Sequence, residues 1–346
     1  MAPTSWALLL TGLLTGTMIT LSSHHWLLAW MGLEFNTLAM IPIIAKQRHP
    51  RATEATIKYF LTQAAASALI MFASTLNAWA TGQWTIPELQ SEPAVLMLTL
   101  ALSMKLGLAP VHFWMPEVMQ GATTSTALLL TTWQKITPIT LLCLTTNHLS
   151  TPMLLILGLL SVTIGGFTGL NQTQTRKIMA YFSIAHMGWL LLALTISPNL
   201  ALMTTALYLI MTSAVFITLI TTSTKTITDL GPTWTNSPVM TTFSMFSLLS
   251  LGGLPPLSGF LPKWLILKEM ILLDLKTISM IMVLASLPSL FFYLHFTYLL
   301  TMAIPPTTQT ILHTWQWKPN MLMTTTKSLV TSSMLLPILP QLFNIT

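Results

Sequence analysis

Long uncharged stretches dominate this sequence and limit what the chain can fold into. Residues 136–175 and 230–262 contain no Asp, Glu, Lys or Arg. Only 6% of the 346 residues are charged, whereas 53% are hydrophobic. Soluble domains carry about 25% charged residues, so a soluble protein of this length could not cover its surface. The sequence therefore predicts an all-α polytopic membrane protein.

Apolar segments that could cross a bilayer recur along the whole chain. A spanning helix needs about 20 largely apolar residues, and eleven segments meet that need. The ninth is too long for one straight crossing and predicts two helical pieces around a break. The short loops leave no room for a soluble domain, and the first segment, which lacks signal-peptide features, is expected to stay in the membrane. The expected spans are 3–21, 25–45, 57–81, 94–116, 123–145, 151–170, 177–196, 200–223, 239–273, 278–303 and 325–344.

Basic residues are distributed unevenly between the two sides of the predicted membrane domain. The net charge of +6 is dispersed over short loops rather than gathered into a nucleic-acid-binding patch. Because positive loops face the cytoplasm or its organellar equivalent, we expect the N-terminus on that side and the C-terminus opposite. The N-terminal side carries Lys46, Arg48, Arg51, Lys58, Arg176, Lys177, Lys225, Lys318 and Lys327, whereas the other side carries Lys268 and Lys276.

Two Gly-Leu-x-Pro segments predict a broken helix in each half of the chain. One runs from Gly107 to Pro110, and the other begins at Gly253 and contains Pro255 and Pro256. In both, a further proline follows nine residues after the glycine. Each proline lacks an N–H and frees the carbonyl four residues back. Paired discontinuous helices in two halves of a chain are typical of a transporter's ion site.

Four charges stand alone inside apolar segments. Glu34 is the only charged residue in 1–45, and Lys105, Lys135 and Lys263 are each isolated in the same way. A charge at the bilayer centre costs at least about 2.5–3.5 kcal/mol on insertion scales. Because a desolvated lysine loses its preference for the charged form, these lysines are candidates to take up and release a proton. The alternatives are a static ion pair between Glu34 and Lys105, and a Lys263 side chain that snorkels to the interface.

Other titratable side chains give weaker signals. His112 and His186 lie in membrane segments and could join a proton relay, although a lone His is more often a structural donor. Cys143 is the only cysteine, so neither a disulfide within the chain nor a thiolate metal site can form. No two His are spaced i, i+4, and we therefore predict no metal or haem site.

Several short motifs resemble those of the antiporter-like membrane-arm subunits of respiratory complex I, the proton-translocating NADH:ubiquinone oxidoreductase. The resemblance covers nearly the whole chain and is specific in its spacing. The motifs are Trp30–Glu34, Glu54–Leu61, Lys105–Pro110, His112–Trp114, Pro116–Val118, Trp133–Lys135, Gly169–Gln174, Arg176–Lys177, His186–Trp189 and Leu248–Trp264.

This resemblance implies a fold and a role for each lone charge. The family has two inverted five-helix repeats, each with one discontinuous helix. Applied to this chain, the first repeat is 1–148, the second is 149–304, and 305–346 forms a loop and a final transmembrane helix. Glu34 and Lys105 match the family's acid–lysine pair, Lys135 its central lysine and Lys263 the last residue of its lateral relay.

The resemblance also implies that the chain moves protons across the mitochondrial inner membrane, coupled to quinone reduction elsewhere in the complex. NADH, FMN, iron–sulfur clusters and ubiquinone would bind other subunits, and this chain would hold no cofactor. Its partners would be other membrane-arm subunits, including neighbouring antiporter-like ones, and phospholipids, but not nucleic acid. The N-terminus would lie in the matrix and the C-terminus in the intermembrane space. Two alternatives stay open: a stand-alone cation/proton antiporter, and a structural subunit without its own proton path.

Overall fold

A computed structural model describes residues 3–47, 49–231, 233, 238–301, 330 and 332. These residues are helical apart from short turns and loops, which confirms the predicted all-α class. The α-helices with described bounds are α1 (Pro3–Ser22), α2 (Trp26–Ile44), α3 (Pro50–Thr81), α4 (Glu92–Leu106), α5 (Trp114–Gly121), α6 (Thr124–Thr131), α7 (Trp133–Thr145), α8 (Thr151–Gly169), α9 (Thr175–Ile196), α10 (Pro198–Thr222), α11 (Pro238–Gly252), α12 (Phe260–Leu272) and α13 (Lys276–Thr301).

The first ten predicted spans all coincide with helices. Within the described residues, eight helical stretches are long and apolar enough to cross a membrane on their own, and the stretch that joins α6 and α7 is one of them. The other two of these ten spans are broken more widely, 94–116 into α4 and α5 and 239–273 into α11 and α12. The predicted eleventh span, 325–344, and nearly all of the 305–346 segment lie outside the described residues.

The third helix begins seven residues before the predicted start at residue 57. His49 caps α3, and its Nδ1 accepts a hydrogen bond from the Arg51 N–H at 3.2 Å. Lys58 lies one turn after Glu54 and forms ion pairs with Glu54 and with Glu117 of α5. The expected placement of Arg51 and Lys58 in a loop is therefore wrong, because their charges are accommodated on the exposed end of the helix.

The fifth predicted span contains an interruption that the sequence did not reveal. The helix is divided at Thr132, whose φ and ψ are −107° and −72°. The Thr132 Oγ1 donates to the Leu128 carbonyl at 2.7 Å, and the Thr131 Oγ1 donates to the Ala127 carbonyl at 3.0 Å. Such hydroxyl-to-carbonyl bonds compete with the helix backbone and often bend helices. The interruption lies less than one turn before Lys135.

Two compact units make up the chain, Met1–Ser161 and Val162–Thr346. In the first, α3 packs against α2, α4 and α5, and α7 packs against α1 and α4. In the second, α10 packs against α9, α11 and α12, and α13 packs against α11 and α12. Among its described residues, each unit therefore contains one helix broken at a Gly-Leu-x-Pro segment, surrounded by helices of the same unit. The repeat boundaries at 148 and 304 stay predictions.

Helices α1 and α2 approach so closely that two glycines are needed between them. A Cβ atom on Gly16 would lie 2.9 Å from both the Gly32 carbonyl oxygen and the Asn36 nitrogen. A Cβ atom on Gly32 would lie 2.6 Å from the Thr20 Cγ2. Small residues that allow backbones to approach closely are typical of helix contacts in membranes.

We expect Gly16→Ala to destabilise the protein because the new methyl group meets backbone atoms that cannot rotate away. Overpacking of this kind typically costs about 1–3 kcal/mol. Thermal unfolding of the protein in lipid nanodiscs measures the effect. Gly12→Ala is the matched control, since its Cβ atom would lie an ordinary 3.5 Å from the Ala39 Cβ. Equal melting temperatures for the two variants would contradict the close-packing interpretation.

Candidate functional site

At the first helix break, a glycine N–H and an indole N–H donate hydrogen bonds to the same backbone carbonyl. Gly107 ends α4 with φ of +73°, and its N–H donates to the Met104 carbonyl at 3.2 Å. The Trp114 Nε1 donates to the same carbonyl at 3.0 Å. The buried His112 lies within the break, where its Nδ1 is 3.3 Å from the Pro110 carbonyl oxygen. Side chains from the loop and from α5 therefore satisfy backbone groups that the break exposes.

At the second break, a glycine ends the helix and a lysine donates a hydrogen bond to a backbone carbonyl. Gly253 ends α11 with φ of +85°. Because Pro256 has no N–H, the Gly252 carbonyl loses its intrahelical donor. The Lys263 Nζ donates to this carbonyl at 3.0 Å and lies 5.9 Å from the centre of the Trp189 ring. The half-buried Lys263 thus turns toward the break rather than snorkelling to the interface.

Lys105 and Lys135 line the same small cavity in the first unit. About 10 Å³ of this cavity is open to the centre of a water molecule, which is about the volume that one water needs. The Lys105 side chain is only 7% exposed and that of Lys135 only 2%. The Lys105 Nζ is buried and makes no hydrogen bond with the residues that the structure describes. The other polar side chains of the lining are Asn36, Thr37, Tyr59, Gln63, Gln134 and Thr137.

Glu34 and Lys105 do not form the predicted ion pair in this conformation. The ion pairs found in the described part of the chain join Lys58 to two glutamates and Lys276 to Asp274. The Thr37 hydroxyl of the same helix donates to the Glu34 backbone carbonyl at 2.9 Å, and the Glu34 Oε2 lies 3.3 Å from the same hydroxyl. Glu34 lies on α2, whose Leu33, Asn36 and Thr37 side chains line the cavity of Lys105. The structure therefore presents the acid and the lysine in a separated arrangement.

Two amides and a phenol in this unit were not predicted as site residues. The Asn36 Nδ2 donates to the Gln134 Oε1, and the Gln134 Nε2 donates to the Asn36 Oδ1, both at 3.0 Å. The Tyr59 hydroxyl lies 3.5 Å from the same Gln134 Oε1. The available signal was that Asn36 and Gln134 are uncharged polar residues within two positions of Glu34 and Lys135 in apolar segments.

The second unit places His186 and Lys263 at one cavity. About 30 Å³ of this cavity is open to the centre of a water molecule, which is room for roughly two waters. The His186 Nε2 and the Tyr293 hydroxyl are 3.1 Å apart, and the Tyr208 ring centre is 5.6 Å from that of His186. Lys263 therefore shares its surroundings with a ring nitrogen that can accept or donate a proton.

The chemistry of both cavities suits proton transfer better than cation binding. They are lined by lysines, an imidazole, amides and hydroxyls. Within the described ranges no three His, Cys, Asp or Glu side chains come close enough together to hold a metal ion. A water in such a space next to a lysine would be both a donor and an acceptor, as a proton relay requires.

Comparisons with known proteins identify the family of the chain. Residues 23–289 match a family described as the transmembrane part of NADH:quinone oxidoreductase and Mrp antiporters. NADH-ubiquinone oxidoreductase chain 2 of Oncorhynchus mykiss is 51% identical over 340 residues, which cover 98% of this chain and 97% of that protein. The Gallus gallus protein of the same name is 50% identical over 330 residues, 95% of each chain.

Solved structures show the same fold. A chain of respiratory complex I from Thermus thermophilus with bound Aureothin superposes with a TM-score of 0.85 and 26% identity, over 98% of this chain and 78% of that one. A chain of the Mrp complex from Dietzia sp. DQ12-45-1b superposes with a TM-score of 0.76 and 16% identity, over 84% and 59% of the two chains. The second likeness is one of fold alone.

We expect Lys263→Met to destabilise the protein because it leaves the Gly252 carbonyl without a donor. A buried polar group left unpaired costs about 1–3 kcal/mol. Lys268→Met is the matched control, since it makes the same substitution at an exposed position of the same helix. Thermal unfolding in nanodiscs should show a lower melting temperature for Lys263→Met alone. Unchanged melting in both variants would show that the Lys263 bond does not stabilise the break.

Proposed function

The chain belongs to the NADH:quinone oxidoreductase/Mrp antiporter family of membrane proteins, and on that premise we propose that it translocates protons as a core membrane subunit of NADH–ubiquinone oxidoreductase. The observation that carries the proposal is the enclosed cavity that Lys105 and Lys135 share next to a helix break. We infer that this space admits the water through which the two lysines exchange a proton. Glu34 lies near enough to bias that exchange by its charge.

The proposed cycle uses the four lone charges in order. Quinone reduction elsewhere in the complex changes the electrostatics along the membrane plane and alters the interaction of Glu34 with Lys105. Removing a nearby anion disfavours the charged form of a lysine, so the proton affinity at Lys105 and then at Lys135 changes. A proton then passes between Lys135 and Lys263 and leaves on the intermembrane-space side. Each charge moved against the membrane potential costs about 2.3 kcal/mol per 100 mV.

The surroundings of the chain follow from the same proposal. NADH, FMN, the iron–sulfur clusters and ubiquinone bind to other subunits, and this chain carries no redox centre. Its neighbours are membrane-arm subunits, antiporter-like ones among them, and phospholipids of the mitochondrial inner membrane. The N-terminus faces the matrix and the C-terminus the intermembrane space. The two inverted repeats, 1–148 and 149–304, each contribute one broken helix, and His112 and His186 are further candidates for the relay.

We expect Lys135→Met to lower the number of protons pumped per NADH oxidised. Loss of a proton-transfer group typically slows the transfer by about 10²–10⁴-fold, and methionine keeps the length of the side chain without its amine. The measurement is proton uptake into vesicles that contain the complete complex, with NADH oxidation recorded in parallel. Lys276→Met is the control because Lys276 is 70% exposed.

Three results are distinguishable in this experiment. Reduced pumping with continuing NADH oxidation in Lys135→Met supports the relay. Undiminished protons per NADH would contradict the role of Lys135 and favour a structural subunit without its own proton path. Cation-dependent proton exchange by the isolated chain would instead favour a stand-alone antiporter.

A further inference from the structure

We propose that the amide pair of Asn36 and Gln134 is a positioning device that couples movement of α2, the helix of Glu34, to the placement of Lys135 on α7. The inference rests on the proposed function and adds two positioning residues to it. Neither amide titrates in the physiological range, so the pair holds the relay in place and carries no proton itself.

The geometry of the pair makes it a stiff connection between two helices. Both amides donate and both accept, at 3.0 Å in each direction. Two antiparallel hydrogen bonds restrict sliding and rotation of one amide plane against the other, which a single bond would not. The Asn36 side chain is 1% exposed, so separating the pair would leave buried polar groups unpaired, which is unfavourable. A displacement of α2 is therefore transmitted to α7 rather than absorbed between them.

The positions of the two amides determine what they transmit. Asn36 lies two residues after Glu34, and Gln134 directly precedes Lys135. Residues two apart on a helix point to different faces, so Asn36 reaches α7 while the Glu34 carboxylate lies beside the Thr37 hydroxyl of its own helix. A change in the contacts of Glu34 acts on the α2 backbone, and the amide pair passes it to the turn of α7 that carries Lys135.

A third helix joins the pair to the broken helix of Lys105. The Tyr59 hydroxyl lies 3.5 Å from the Gln134 Oε1, and the Tyr59 ring meets the Trp114 ring edge-on, with centres 5.9 Å apart. The Trp114 Nε1 in turn donates a hydrogen bond to the backbone carbonyl of Met104, the residue before Lys105. All of these side chains except Met104 line the cavity of the two lysines. The amide pair is thus part of a continuous set of contacts around the exchange site.

Four variants of the complete complex test the proposal in sealed vesicles. Asn36→Leu and Gln134→Met each remove one amide at nearly constant volume, and the double variant Asn36→Leu with Gln134→Met removes both without leaving an unpaired partner. The exchange variant Asn36→Gln with Gln134→Asn keeps an amide on each helix. NADH oxidation by uncoupled vesicles and protons pumped per NADH are measured for each, with Lys135→Met as the reference for a lost relay residue.

We expect the apolar double variant to assemble and to oxidise NADH at a rate close to that of the wild type. Coupling between sites typically changes an equilibrium by about 5–150-fold, so pumping relative to NADH oxidation should fall at least roughly fivefold. The single variants should show the same uncoupling. The exchange variant should recover most of the protons per NADH, because the reciprocal bonds re-form.

The proposal is overturned if the assembled apolar double variant pumps the wild-type number of protons per NADH while Lys135→Met does not. It is equally overturned if the exchange variant assembles but stays uncoupled, or if pumping and NADH oxidation fall in the same proportion, since the pair would then serve packing alone. Should the single variants fail to assemble, the double and exchange variants alone distinguish coupling from packing. Undiminished pumping in Lys135→Met would instead contradict the proposed function.

Discussion

The hydrocarbon core of a membrane offers no hydrogen-bond partner to a peptide group, and the architecture of this protein depends on that fact. A continuous helix satisfies its own backbone, whereas a broken helix exposes carbonyls that must find donors within the protein. At both breaks, a glycine in the left-handed backbone conformation ends the helix, and a long side chain donates to a backbone carbonyl. The donor is Trp114 in one unit and Lys263 in the other. These hydrogen bonds offset the free-energy cost of interrupting a helix. Water-sized spaces can therefore lie beside titratable groups inside the membrane.

Lys263 has both a structural and a proposed chemical role at its helix break. Its ammonium satisfies the carbonyl that Pro256 releases, and the same ammonium is a member of the proposed relay. A lysine that gives up its proton becomes a poorer donor, because hydrogen bonds from charged groups are stronger than neutral ones. The conformation of the second broken helix and the protonation of its lysine therefore influence each other.

Sequence patterns predicted the features that proline, glycine and apolar length determine, and missed both the interruption at Thr132 and the contacts between distant residues. Proline and glycine placed both breaks correctly, and apolar length placed the first ten spans, since these signals act within a few residues. The start of α3 was misjudged because Arg51 and Lys58 were assigned to a loop, although His49 caps the helix locally. The bonds of Asn36 with Gln134 span 98 positions, and no local pattern encodes them. The separation of Glu34 from Lys105 likewise depends on side-chain conformation, which spacing does not determine.

The glycine contact between α1 and α2 has a consequence for genetic studies of this protein. Gly16 faces the backbone nitrogen of Asn36, so a side chain at position 16 would press on the residue whose amide meets Gln134. Position 16 has no titratable side chain and lies on a helix that is largely unburied within this chain. Under the proposed function, a substitution there would nevertheless act through α2 on the turn of α7 that carries Lys135. Inherited variants in the first helix should therefore be classified by their effect on α2 and not by their distance from a titratable group.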